Sequence, residues 1–354
     1  MTAVSEMLWI DRLEDEHRDS VGAKVFRLAE IARLGVAVPR GFAVPASGLS
    51  TFLHASGLEA TVRAALAHLD PADDAAIERA AAGIESSFAV TAFPAELGAA
   101  IADAYRQLCL ATEAEVSVAV RSSGAREDGA TASFAGQFVT VLGVRGIENV
   151  LAAVKECWAS AFSARVLAYS LRNGLSPLDP ALAVGIMSLV SARSAGVAFS
   201  VHPTTGSRSR VVIEGSWGWG EAVVQGLVTP DYAELDKSDG RVLTYRVAEK
   251  HTVSLFDADA GRVVERPMPG HLVSTRVLSE AELIGLHRAV VAIEKKYGAP
   301  VDVEWAIDDR FADDECVVIV QARPVTTLRE SAPLTWDPFA NAMRFGLAGG
   351  ATHG

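Results

Sequence analysis

Apolar residues recur along this 354-residue chain with two periods, and the switches between them mark out its elements. Val25, Leu28, Ile31, Ala32 and Leu34 have helical spacing, and Gly35 closes that helix. Val36 to Val44, punctuated by Pro39 and Pro45, reads as a strand bounded by turns. From about Ser47 to Thr112 the chain is alanine-rich and helical in period, with breaks near Pro71 and Pro94. Ser117 to Val120 is a short apolar strand, and a second β-branched run starts near Phe138. Ile147 to Asn173 returns to the helical period, followed by strands at Ala181 to Val190 and Gly196 to Val201. Hairpin-like strands follow at Arg210 to Glu214, Tyr232 to Asp236 and Arg241 to Arg246, then a helix from Ser279 to Tyr297. The pattern predicts an α+β protein with a first lobe over 1–180, whose residues 47–112 form a helical cap. A second lobe covers 181–327, with a boundary near Pro180, and 328–354 loses clear periodicity as a tail or linker.

Two late segments alternate strictly, Val301 to Ile307 and Val317 to Arg323, separated by a polar stretch suited to a hairpin. Asp302 and Glu304 share one face of the first, and Gln321 and Arg323 one face of the second. Antiparallel pairing of Glu304 with Gln321 brings Asp302 opposite Arg323. The four would form a square patch of two carboxylates, an amide and a guanidinium. Carboxylate and amide oxygens suit Mg²⁺ that shares its shell with phosphate, and Arg323 would neutralise phosphate or brace Asp302. An ordinary solvated hairpin face with an Asp–Arg cross-strand pair fits the same pattern.

Arg121 stands at the tip of the Ser117–Val120 strand, ahead of a loop of small residues, hydroxyls and glycines. Such a loop leaves N–H groups and hydroxyls to face an anion beside a fixed cation. Lys24 is the only lysine in the first 154 residues. It sits just after Gly22 in the first turn of its helix, where N–H groups already favour negative charge. Glu214 to Glu221 and Gln225 to Asp231 are glycine-rich segments that satisfy neither GxGxxG nor GxxxxGK[ST] and read by themselves as a pair of tight turns, a pattern that fits exposed Glu214 and Glu221 equally well.

A net charge of −12 argues against a nucleic-acid backbone as partner. No apolar run reaches the ~20 residues of a membrane span, and the acidic, mixed N-terminus is unlike a signal peptide. Cys109, Cys157 and Cys316 are scattered, as expected of buried thiols in a cytoplasmic protein. The eight histidines show no HExxH spacing and no GxSxG elbow is present; His202, ahead of a Pro-Thr-Thr-Gly turn, reads as structural.

Six motifs occur in order: Gly-Ala-Lys24, Val-Arg121-Ser-Ser with Ser-Phe-Ala-Gly136-Gln, Ala195-Gly-Val-Ala-Phe-Ser, Glu214-Gly-Ser-Trp-Gly to Thr-Pro-Asp231, Asp302-Val-Glu304-Trp, and Val-Gln321-Ala-Arg323-Pro324. Across residues ~20 to 327 the chain thereby resembles the N-terminal nucleotide-binding domain of phosphoenolpyruvate synthase, pyruvate phosphate dikinase and rifampicin phosphotransferase. The resemblance implies an ATP-grasp fold with ATP held between two lobes. It implies Lys24 and Arg121 as phosphate-neutralising groups, with Gly136 and Thr140 in a phosphate-covering loop. It further implies Glu304 and Gln321 as Mg²⁺ ligands with Asp302 nearby, and Arg323 on phosphate. The family commonly has glutamine where Met187 lines the adenine; methionine keeps the apolar wall but offers the base no polar partner. Ala23 replaces a frequent glycine.

Family members split ATP to AMP and phosphate and pass the β-phosphoryl to a histidine on a swivelling domain. A nucleotide domain alone resembles one subunit of two-component enzymes such as phenylphosphate synthase, with the histidine on a partner subunit and a phenol or 4-alkylphenol as the small-molecule acceptor. The alternatives are a domain excised from a longer synthase or rifampicin phosphotransferase, and a non-catalytic nucleotide sensor. Gly349 to Gly354, with His353, is one residue short of the phosphohistidine motif and reads as coincidence.

Overall fold

The computed structural model describes residues 6–112, 115–124, 139–178, 180–220, 223, 226, 228–257, 262–310 and 316–325. Gly136, Glu221, His353 and the 328–354 segment lie outside them. The chain divides into two compact units, one of Met1–Ala29 with Arg40–Leu189 and one of Glu30–Pro39 with Val190–Gly354.

The first unit is built on a sheet of β1 (Leu8–Trp9), β2 (Gly41–Val44), β3 (Val118–Gly124), β4 (Thr140–Val144) and β5 (Leu182–Ser188), in the order β1-β2-β5-β3-β4. Phe42, Val44, Val118, Val120, Val184 and Ile186 point from one face of it into an apolar core. That core is closed by α2 (Ala46–Ala55), α3 (Leu58–Leu66), α4 (Asp74–Val90), α5 (Ala95–Ala111), α6 (Ile147–Ala159) and α7 (Ala164–Arg172). The helices between residues 46 and 111 are the alanine-rich stretch, broken at Pro71 and Pro94 as its sequence indicates. Phe52, Phe88, Phe93 and Trp158 pack ring against ring at its centre.

The strand expected over Val36 to Val44 is shorter. Only Gly41–Val44 pairs in the sheet, since Pro39 has no N–H to donate. Ala37 instead accepts a backbone bond from Ile319 of the second unit, to which residues 30–39 belong. β5 bonds to β2 on one edge and β3 on the other, so the packing boundary falls after it, at Leu189/Val190 rather than at Pro180.

The second unit carries a sheet of β6 (Ala192–Phe199), β7 (Arg210–Trp217), β8 (Asp231–Asp236), β9 (Val242–Arg246), β12 (Val301–Asp308) and β13 (Val317–Pro324), in the order β13-β12-β6-β7-β8-β9. A separate hairpin, β10 (Thr252–Asp257) with β11 (Arg262–Pro267), was not foreseen in the sequence pattern. One face of the large sheet packs on α8 (Glu280–Tyr297), with Leu283, Leu286, Val290 and Ile293 meeting Val211, Ile213, Val303 and Trp305. Ser279 caps α8 in a reciprocal box with Glu282, and Gly298 ends it in the left-handed region. Gly215 must be glycine, because a Cβ there would stand 2.6 Å from the Trp305 ring. All three cysteines are free thiols, and no helix among the described residues is long and apolar enough to cross a membrane.

Candidate nucleotide site

Each unit presents a polar sheet face away from its core. In the first, alternation puts Val118 and Val120 in the core and turns Ala119 and Arg121 to the opposite face. Register then places Arg121 beside Thr140 on β4 and Gly185 on β5, with Met187 next to Ala119 and Gly41. Arg121, Thr140 and Met187 therefore share one face. Met187 is almost wholly buried there.

Lys24 reaches this region through a break in α1 (Arg18–Ala32), where Gly22 adopts φ 74° and ψ 166°. The helix restarts immediately after it, so Lys24 lies in a first helical turn. That turn is fastened to the end of β3: Val25 N–H donates to Ser123 Oγ at 3.2 Å, and Ser123 is fully buried. Ser122 donates from both its N–H and its hydroxyl to the Val139 carbonyl, next to Thr140. Gly185 leaves room for Val25, whose Cγ2 would stand 2.7 Å from a Cβ there. The Lys24 charge also acts on Cys157, partly offsetting the burial that pushes this thiol up to about 12.

In the second unit the alternation pattern is realised. Asp302 pairs with Arg323 and Glu304 with Gln321. Arg323 donates through Nε and Nη2 to Asp302 Oδ2, at 2.9 and 2.8 Å. Gln321 Nε2 donates to Glu304 Oε1 at 3.1 Å. Burial pushes the Asp302 carboxyl up, and Arg323 pulls it back down. Of the two roles open to Arg323, the bracing of Asp302 is the contact present.

Strict alternation fails one step further on. The register slips at a β-bulge between Glu304 and Trp305, where the partner strand steps from Gln321 to Ile319, so Val317 and Ile319 rather than Val318 and Val320 enter the core. Among the described residues, no group of three or more His, Cys, Asp or Glu is arranged to hold a metal ion. Glu304 and Gln321, paired across the strands through the Gln321 N–H, carry the carboxylate and amide oxygens that suit a hard cation taking the rest of its shell from phosphate and water.

Three groups escaped the sequence reading. Glu214, whose exposure the sequence left open, is largely buried on the same face as Glu304; desolvation raises its carboxyl and Arg246 lowers it. Tyr232 donates to Glu234 Oε1 at 2.6 Å beneath the Arg246 guanidinium. Lys250 and Asp231 form a completely buried ion pair, in which Asp231 also accepts from Tyr245 Oη and from the Ala248 and Val277 N–H groups. His202 has the structural part expected of it: its Nδ1 accepts from the Thr204 and Thr205 N–H groups and holds the turn.

The model of the pyruvate phosphate dikinase AMP/ATP-binding domain matches residues 18–336. The chain belongs to this family. Its ATP-grasp fold follows, as does the assignment of an ATP-binding domain. A probable phosphoenolpyruvate synthase of Methanothermobacter thermautotrophicus is 39% identical over 94% of the chain and 48% of its own length. Phosphoenolpyruvate synthases of Pseudomonas aeruginosa (38% identical, 91% of this chain, 42% of theirs) and Aeropyrum pernix (35%, 90% and 42%) are similar too. This dikinase-family chain thus spans about half the length of the curated relatives it matches or less. Among solved structures, the Ca. Korarchaeum cryptofilum dinucleotide-forming acetyl-coenzyme A synthetase 1 aligns with TM-score 0.30 and 12% identity, over 69% of this chain and 90% of its own. That likeness is too slight to bear on the fold.

Proposed function

We propose that this dikinase-family domain binds MgATP and donates the β-phosphoryl group to a histidine carried outside these 354 residues, releasing AMP and phosphate. The phosphohistidine then phosphorylates a small acceptor. The observation that supports this most directly is the ladder Asp302–Arg323 and Glu304–Gln321, formed as alternation requires in a chain of an ATP-binding family. Its three free thiols support a reducing, cytoplasmic setting.

In this reading Lys24 and Arg121 neutralise phosphate charge, Gly136 and Thr140 border the phosphates, and Met187 walls the adenine. Glu304 and Gln321 hold Mg²⁺ with Asp302 beside them, and Arg323 braces Asp302 and adds positive charge for phosphate. Magnesium, when bound, draws charge from the phosphoryl oxygens and so opens phosphorus to a nucleophile. The protein's own part is to fix the reacting atoms in line and neutralise charge as it shifts.

The histidine belongs on a separate subunit, with a phenol or 4-alkylphenol as favoured acceptor. A second reading, with pyruvate as acceptor and the histidine further along the same polypeptide, draws support from the phosphoenolpyruvate synthases among the relatives. The chain should bind MgATP alone and form AMP only when the histidine-bearing component is added; offering that pair phenol, 4-alkylphenols and pyruvate identifies the acceptor. Robust acceptor-coupled AMP formation by the chain alone would end the split arrangement. Glu304→Gln should bind ATP yet lose turnover in the reconstituted pair, whereas equal turnover would remove the metal role, and ATP binding with no turnover under any pairing would favour a sensor.

A further inference from the structure

The large sheet of the second unit carries, on its face away from α8, two cross-strand rows. The register of neighbouring strands makes the first Gln321, Glu304, Val197, Glu214, Tyr232 and Arg246. The second is Arg323, Asp302, Phe199, Val212, Glu234 and Thr244. Phe199, Val212 and Tyr232 are buried and pack together in the middle of the sheet, with the partly exposed Val197 against them. In the first row Glu304 and Glu214 flank Val197, and all three keep part of their surface exposed. With β6 between them, the backbones of the two glutamates stand about 10 Å apart at ~4.8 Å per strand. A flat five-membered ring is narrower than that spacing.

The environment of Glu214 is unlike that of its neighbours. Glu304 receives the Gln321 amide, Asp302 the Arg323 guanidinium, and Glu234 the Tyr232 hydroxyl. Among the described residues no hydrogen bond or ion pair engages the Glu214 carboxylate, although most of the side chain is out of water and Arg246 acts on it only at a distance. A desolvated carboxylate of this kind is stabilised by an incoming N–H or cation. It stands beside Val197, with that one strand between it and the proposed Mg²⁺ ligand Glu304.

We infer that Glu214 is the residue that receives and orients the acceptor imidazole, which lies over Val197 with one ring N–H donated to the carboxylate. The inference rests on the proposed transfer to histidine. The bound N–H fixes the tautomer, leaving the lone pair of the other ring nitrogen for attack. That nitrogen forms a bond to the β-phosphorus while the bond from this phosphorus to the oxygen bridging to AMP breaks, and AMP leaves with the electron pair. Water then takes the γ-phosphoryl as inorganic phosphate. The ring becomes cationic as the N–P bond forms, and the Glu214 carboxylate balances that charge until the shared proton is lost to solvent.

Free imidazole and 1-methylimidazole serve as probes, since the neutral methylated ring keeps the nucleophilic nitrogen and lacks the N–H. Saturation-transfer NMR with the chain and a non-hydrolysable MgATP analogue, above the pH range in which imidazoles protonate, reads both. Imidazole should bind about tenfold more tightly than 1-methylimidazole, the worth of one charge-assisted hydrogen bond. Glu214→Gln should erase the preference, and Glu214→Asp should restore part of it, with MgATP affinity unchanged in both. Equal binding of the two probes, no binding of either, or a preference that survives in Glu214→Gln overturns the inference. So does weaker MgATP binding by Glu214→Gln, which would assign this carboxylate to the nucleotide. Failure of the unaltered chain to bind MgATP overturns the proposed function itself, and the inference with it.

Discussion

Replacing Gly22 with alanine tests how the first unit holds Lys24. At φ 74° and ψ 166° the backbone lies in a region open essentially to glycine alone, and forcing a side chain there costs about 1–3 kcal/mol. A Cβ would also stand 2.2 Å from the Ser123 carbonyl oxygen and 2.5 Å from its carbon. Both are backbone atoms of a buried strand end, so the clash is relieved only by parting α1 from β3 by about 1 Å, an overpacking worth about 1–3 kcal/mol more. The total of about 2–6 kcal/mol is a large share of the stability of a typical domain. The displacement falls on the turn that carries Lys24 and on the residue two past Arg121, so MgATP affinity should fall at least about tenfold, equivalent to ~1.4 kcal/mol. Denaturant unfolding and calorimetric titration with MgATP read the two effects. Gly83→Ala is the control: this exposed glycine of α4 has open space where a Cβ would go, and alanine there should stabilise by about 0.5–1 kcal/mol. A Gly22→Ala protein that unfolds within about 0.5 kcal/mol of the parent and binds MgATP equally would refute the close approach and the anchoring drawn from it.

Other expectations concern the second unit. Lys250→Met strands Asp231 as a buried charge and should destabilise by about 3–5 kcal/mol, measured by urea unfolding at neutral pH; a loss below ~1 kcal/mol would mean that Tyr245 and the two N–H groups suffice. Glu214 has a raised folded pKa, so the native state holds its proton longer than the unfolded chain, and stability declines as pH climbs from the ordinary carboxylate range through the raised value. Glu214→Gln should match the parent at acidic pH and become the more stable of the two toward neutral pH; a difference independent of pH would contradict the buried carboxylate. Arg323→Met removes the charge that holds Asp302 down, so stability should fall more at neutral than at acidic pH, whereas parallel pH profiles would show that the pair carries no charge coupling.

The hairpin of β12 and β13 was legible because a two-sided strand writes its faces into alternate residues, and Asp302, Glu304, Gln321 and Arg323 obey that rule. The bulge at Val320 was not, since all three of Val318, Ile319 and Val320 are apolar and nothing local marks which one drops out of register. The helical stretch up to Ala111 was readable from its period and its prolines. The place of β5 was hidden, because pairing partners are chosen by packing far along the chain rather than by composition. The burial of Glu214 was open in the sequence for a related reason: its neighbours in the sheet, Val197 and Tyr232, lie on other strands. Asp231 and Lys250, nineteen positions apart, carry no spacing that announces a buried pair. The short, partly exposed strands β10 and β11 leave only a weak alternation.

The division of the fold inside α1 bears on how the protein is made. Ile31, fully buried, packs in a cluster with Ile319 and Trp305, and Ala37 is bonded to Ile319 itself. On the ribosome, this greasy stretch emerges at the outset while its companions are translated up to nearly 290 residues later. At about 5–20 residues per second the wait is on the order of 15–60 s. Throughout that interval a nascent chain displays sticky surface that only its own far end can cover, which makes it a natural client for chaperones and a poor substrate for any early pause in translation.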